Sequence, residues 1–166
     1  MWFETTRVFL TVGEKTGGTK VNAFDNALRQ AGIQAFNLIR ISSIIPPDVP
    51  VSRLVHSTKP VHGDGLIVPV VYESLASDKI GTEISAAVGV GLPLSGAGMV
   101  FAHQCEGPRE EAERVVRAMI AEGMPNMGYA EYEVQLVSTS TLVVAPWSAV
   151  VAAALYCDKE IERLFA

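Results

Sequence analysis

Asn37-Leu38-Ile39-Arg40-Ile41-Ser42-Ser43-Ile44-Ile45-Pro46-Pro47 is an apolar stretch that runs into a serine pair and then into two prolines. Side chains alternate along a strand. An extended segment therefore puts Asn37, Ile39, Ile41 and Ser43 on one face and Leu38, Arg40 and Ser42 on the other. Pro46 and Pro47 fix φ, and Pro46 biases Ile45 toward extended backbone. The serines thus stand at a strand-to-turn junction, which has two readings. They can end the strand by bonding local backbone groups, as serines commonly do. Alternatively, strain at the junction favours attack of the Ser43 hydroxyl on the Ser42 carbonyl, and the chain cuts itself between them.

On the N-terminal side, Arg7 to Val12 reads as a strand, Gly13 to Gly18 as a glycine-rich loop, and Thr19 to Ala31 as a helix. Val21, Phe24, Leu28 and Ala31 supply its apolar stripe and Gly32 its stop. On the C-terminal side, strands are expected at Leu66 to Tyr72, Glu83 to Leu92, Met99 to Cys105 and Glu131 to Ser138. Gly63-Asp64-Gly65 and Leu92 to Gly98 read as turns. A second helix is expected from Pro108 to Gly123, because Ala112, Val115, Val116, Met119 and Ile120 fall on one face. Thr141 to Cys157 is apolar enough to resemble a short membrane helix, but Pro146 and Ser148 interrupt it. It reads instead as a buried strand to about Ala145 and a buried helix from Trp147. There is no fixed-period repeat, low-complexity tract or linker. Sheets covered by helices, an α/β sandwich in one domain spanning residues 1–166, follow.

The chain has 166 residues, is 49% apolar and carries a net charge of −5, which fits a folded domain able to bury a substantial core. Nucleic-acid binding is not expected, since the phosphate backbone demands concentrated basic surface. Cys105 and Cys157 make no disulfide framework, and no basic segment leads into an apolar signal core, so the cytoplasm is the expected compartment and no membrane is expected.

The serine segment resembles the self-cleavage site of the pyruvoyl-dependent arginine decarboxylases: an Asn, a short apolar-Arg-apolar run, two hydroxyl residues and two prolines. Asn22-Ala23-Phe24-Asp25, Gly65-Leu66-Ile67-Val68-Pro69, Glu83-Ile84-Ser85-Ala86-Ala87 and Glu106-Gly107 before Glu111-Ala112-Glu113 resemble the same family in similar order. The resemblance implies a four-layer αββα sandwich, as in the pyruvoyl-dependent histidine and arginine decarboxylases. It also implies cleavage into residues 1–42 (β chain) and 43–166 (α chain), and a pyruvoyl group made from Ser43 as cofactor, with neither metal nor pyridoxal phosphate. That group would form a Schiff base with the α-amino group of a small-molecule amino acid and take up the electrons released with carbon dioxide. Arginine, converted to agmatine, is the substrate implied.

Asn37 resembles the family's active-site asparagine, an amide donor suited to a developing oxyanion. At roughly 3.3 Å per residue, a straight strand would hold it about 20 Å from Ser43. Either the strand bends sharply, the ends part after cleavage, or Asn37 serves Ser43 of a neighbouring subunit. The third fits the trimers, with active sites between protomers, that the resemblance implies. Asp25 is the candidate for the substrate's far end, because a carboxylate can accept two parallel guanidinium hydrogen bonds; it could equally stabilise a helix N-terminus. The general acid is where the chain departs from the family. His103-Gln104-Cys105-Glu106-Gly107 puts Gln104 where a carboxylic acid is expected. Glu106 shifted into the site, His103 as proton donor, and a chain that cuts but decarboxylates poorly are the alternatives. Gln104 and Glu106 share a strand face, which favours Glu106.

The remaining motifs are weaker. Gly13 to Lys20 sits like a phosphate loop but ends in Thr-Lys rather than Lys-Ser or Lys-Thr. His56, His62 and His103 lack zinc-ligand spacing. Tyr129 and Tyr132 read as packing residues, and Arg109, Glu110, Glu113 and Arg114 as a solvated helix face. A decarboxylase of another amino acid, or a noncatalytic assembly or binding protein on the same scaffold, are the competing functions.

Overall fold

The computed structural model describes residues 3–55, 62–144 and 146–166; His56 and the expected strand end at Ala145 lie outside them. The chain runs β1 (Arg7–Gly17), α1 (Lys20–Gln30), β2 (Asn37–Arg40), β3 (Ile44–Ile45), β4 (Val51–Arg53), β5 (Ile67–Ser77), β6 (Glu83–Pro93), β7 (Gly98–Glu106), α2 (Arg109–Asn126), β8 (Tyr132–Leu142), β9 (Trp147–Cys157) and α3 (Lys159–Arg163). One sheet orders β2-β5-β9-β1-β4 and the other β3-β7-β6-β8.

Three apolar seams stack these elements into four layers. Ala23, Ala27 and Ala31 of the α1 region bury against Val68, Val70, Val151 and Leu155 of the first sheet. Val8, Leu10, Val150 and Ala152 meet Ile84, Ala86, Val88 and Val90 of the second sheet across the middle. Ala112, Val116, Ile120 and Met124 of α2 close the outer face of the second sheet at Ala87. The αββα sandwich implied by the resemblance is the architecture observed.

The expected helix from Trp147 is instead β9, the central strand of its sheet, paired antiparallel with β1 and β5 so that Ala153 faces both Thr11 and Tyr72. Its odd residues bury under α1 and its even residues against the second sheet. A strand covered on both faces reads as one continuous apolar run, which periodicity cannot tell from a buried helix.

The glycine-rich loop is also strand, since β1 continues to Gly17. A Cβ on Gly13 would lie 2.0 Å from the Ala27 carbonyl oxygen, and one on Gly17 would lie 2.2 Å from the Ala23 nitrogen. These glycines let α1 rest on the β1 backbone, and no phosphate loop is formed. The same contact explains why α1 buries its alanine ridge while Val21 is 72% exposed, against the expected stripe. Thr19, the expected first residue of the helix, is instead its cap, accepting from the Asn22 N–H at 3.1 Å. α2 runs past its expected stop at Gly123, where a Cβ would meet the Phe101 ring at 2.6 Å. The left-handed residue beyond that helix is Gly128, with φ 89°.

Gly13→Ala should therefore cost about 2–3 kcal/mol, the upper end for overpacking, because the obstruction is backbone that cannot rotate away. Urea unfolding reads this as a lowered midpoint. An unchanged midpoint would show that α1 is free to shift off β1.

Candidate active site

β2 pairs in parallel with β5 for four residues, from Asn37 opposite Ile67 to Arg40 opposite Val70. The Ile41 N–H then donates to the Val70 carbonyl at 3.1 Å, the last tie to the first sheet. At Ser43 the chain already belongs to the second sheet: the Val100 N–H donates to the Ser43 carbonyl at 2.8 Å. Ile44 and Ile45 then pair with Met99 and Gly98. The single strand expected through Ser43 is thus two strands in different sheets, and the Ser42-Ser43 peptide lies in the passage between them. Ser42 is exposed and Ser43 half-buried. The expected backbone strain is not found at the pair. Among described non-glycine residues, left-handed φ occurs at Asp48 and Asp64. Hydrogen bonds to both sheets restrain the junction instead.

Ser43 lines a cavity of about 310 Å³ together with Arg40, Tyr72, Glu73, Phe101 and Met119. The Arg40 guanidinium carbon stands 4.0 Å from the Tyr72 ring centroid, and its Nη1 lies 3.3 Å from Glu73 Oε1. Burial works to lower the Arg40 pKa, and hydrogen bonding and charge from Tyr72 and Glu73 together more than reverse it.

The other expected site residues lie elsewhere in the protomer. Asn37 is exposed at the far end of β2, where its Nδ2 donates to the Gly65 carbonyl at 2.7 Å. Asp25 does not line the Ser43 cavity; on α1 its Oδ2 lies 3.5 Å from Arg29 Nη2. Gln104 and Glu106 follow Val100 by four and six residues, about 13 and 20 Å along β7 at 3.3 Å per residue. Gln104 shares the strand face of Val100 and Ala102, toward the first sheet, whereas His103 alternates with it on the α2 side. Glu106 is exposed, with Oε1 2.7 Å from Lys79 Nζ. The hydrogen bond and charge of Glu106 hold the Lys79 ammonium above the ordinary lysine pKa.

The family model for pyruvoyl-dependent arginine decarboxylase matches residues 7–161. The chain belongs to that family. It is 37% identical over 143 residues to the pyruvoyl-dependent arginine decarboxylase of Thermococcus kodakarensis, covering 86% of this chain and 88% of the relative. The enzyme of the same name from Pyrococcus abyssi is 35% identical over 153 residues, 92% and 95% of the two chains. That from Methanocaldococcus jannaschii is 36% identical over 151 residues, 90% and 88%. The family implies a pyruvoyl group, and Ser43 suits its formation: a serine with its carbonyl fixed, opening on a cavity.

Tyr72 and Glu73 escape a reading of the sequence, because only the parallel register of β2 on β5 brings them to Arg40. No local pattern in Val70 to Ser74 marks them.

The Lys79–Glu106 pair is exposed, and such pairs contribute little to stability. Glu106→Gln should leave the melting temperature unchanged. A large drop would make Glu106 a structural residue and disqualify that variant as a probe of chemistry.

Proposed function

We propose that this chain cuts itself between Ser42 and Ser43 and then decarboxylates arginine to agmatine. The observation that carries the reading is the placement of Ser42-Ser43 between two sheets with Ser43 opening on a cavity. Family membership and the relatives' names support the reaction. The cut turns one domain of residues 1–166 into chains 1–42 and 43–166. The Ser43 hydroxyl adds to the Ser42 carbonyl, and an ester replaces the peptide C–N bond. Elimination breaks the Ser43 Oγ–Cβ bond, leaving Ser42 a carboxylate that keeps that oxygen. Water then replaces the nitrogen of residue 43, which leaves as ammonia.

The pyruvoyl group, once formed, supplies a carbonyl for the substrate amine and a sink for the electron pair released with carbon dioxide. The chain's own residues bind and orient the substrate and move the proton. Asn37 donates its amide to a developing oxyanion, from a neighbouring copy because it stands at the far end of its own β2. Asp25 receives the substrate guanidinium, again from a neighbour. Glu106 returns a proton to the α-carbon once it parts from Lys79, and Gln104 holds the expected acid position as a hydrogen-bonding amide.

Assembly into a trimer with active sites between protomers accords with the surface around the cut. Ile39, Ile41 and Ile44 are exposed there, and Leu66 and Ile67 are exposed at the far end of β2. Among the described residues, β5 beyond Val70 and β7 beyond Met99 carry no further strand on that side. Open apolar edges of this kind invite pairing with another copy. Cytoplasmic residence accords with the free thiols of Cys105 and Cys157. Among the described residues no helix is long and apolar enough to cross a membrane.

Gln104 keeps a second reading in play, a chain that cuts but turns over arginine slowly or prefers another amino acid. Intact-mass measurement should find the two chains, and Ser43→Ala one uncut chain; an uncut wild-type chain sinks the proposal. Carbon dioxide release from a panel of amino acids should be fastest with arginine. Glu106→Gln should cut normally and lose at least about tenfold in kcat, within the range of general acid catalysis, and undiminished turnover passes the role to His103.

A further inference from the structure

Arg40 keeps a guanidinium on the wall of the very cavity where an arginine decarboxylase must receive one. An aromatic face and a carboxylate are the two surfaces that recognise this group, by cation–π attraction and charged hydrogen bonding. Tyr72 and Glu73 supply them, 4.0 Å and 3.3 Å from Arg40. We propose that Tyr72 and Glu73 form a guanidinium-binding site on the wall of the Ser43 cavity, filled by Arg40 in the uncut chain and yielded to the guanidinium of arginine or agmatine after the cut. The identity of the ligand rests on the decarboxylase reading above; the site itself rests on this geometry.

The platform is fixed while its occupant is loosely held. Tyr72 lies on β5 and stacks with Phe24 of α1, ring centroids 6.2 Å apart and planes at 25°. Arg40 and Glu73 side chains are 54% and 37% exposed, and ion pairs this open to water are weak. The Arg40 backbone stays paired with Val70, so only the side chain has to swing. The cut supplies a reason for it to do so. Ser42, two residues beyond Arg40, becomes a chain terminus with a new carboxylate, a competing partner that the uncut chain lacks. One event then creates the carbonyl at residue 43 and frees the cradle beside it. Asp25 does not line this cavity, so the two carboxylates are separable: Glu73 from the protomer that holds residue 43, Asp25 from its neighbour.

Calorimetric titration with agmatine tests the cradle in uncut protein. Ser43→Ala should bind agmatine at least tenfold more weakly than Ser43→Ala/Arg40→Gln, and adding Glu73→Gln to the double variant should remove the gain. Tyr72→Phe keeps the ring and should keep most of the affinity, whereas Tyr72→Leu should lose it. In the cut enzyme, Glu73→Gln should raise KM for arginine at least tenfold while intact mass shows the cut complete. Melting curves check that each variant is folded. Agmatine affinity indifferent to Arg40→Gln and Glu73→Gln, or an unchanged KM in Glu73→Gln, overturns the proposal. Failure of the decarboxylase reading shows separately, as an uncut wild-type chain or no carbon dioxide from arginine, since the titration needs neither cut nor turnover.

Discussion

Two hydrogen bonds, from Ile41 to Val70 and from Val100 to Ser43, tie one short segment to both sheets at once. Each strand ladder stays within its own sheet, and the two sheets meet through side chains, among them Arg53, whose Nη2 donates to the Leu136 carbonyl at 3.0 Å. A chain that passes between them has to leave one ladder and join the other within a few residues. Here it does so over Ser42. Upstream the backbone is held by β5, and downstream by β7 and by two prolines whose fixed φ limits the following turn. The peptide between the serines cannot slide along either sheet, because a one-residue slip would turn buried Ile45 outward. Tertiary hydrogen bonding restrains this junction, where no left-handed φ is found.

The same passage puts the site at an edge. β2 and β3 are short, so among the described residues both sheets lie open beside Ser43. Edge positions are accessible to substrate and also exposed to association. In the proposed assembly a neighbouring copy completes a site built on such an edge. That agrees with Asn37, Asp25 and Glu106 each facing a local partner, Gly65, Arg29 and Lys79, instead of Ser43.

What the sequence reveals depends on whether the cause is local. The α1 segment, the α2 face and the alternating strands are set by neighbours within a few residues, and all were legible. β9 was not, because its alanines answer to pressure from α1 on one face and the second sheet on the other. Nor were Gly13 and Gly17, whose absent side chains matter only once α1 lies on them. The serine pair was legible as chemistry and illegible as geometry: alternation assigns faces within a strand but cannot say that Ile41 and Ser43 belong to different sheets. Arg40 shows the sharpest limit. Its place in the motif is visible, while Tyr72 and Glu73, more than thirty positions away, reach it through parallel register alone.

The proton donor poses the remaining chemical constraint. A glutamine amide can hold a hydrogen bond but has no acidic proton to return to a carbanion. Glu106 is engaged by Lys79, whose Nζ donates to its Oε1 at 2.7 Å. His103 stands on the α2 side of β7. None of the three is therefore poised within the isolated protomer. The nearest of them along β7 is three residues from the strand position that holds the Ser43 carbonyl, a separation that side-chain rotation alone does not close. In the proposed assembly, a second copy docked against the open edge of β7 would present its own residues to Ser43 and offer Lys79 or Glu106 another partner, separating the exposed pair. Under that proposal, acid catalysis belongs to the assembly and not to the single protomer.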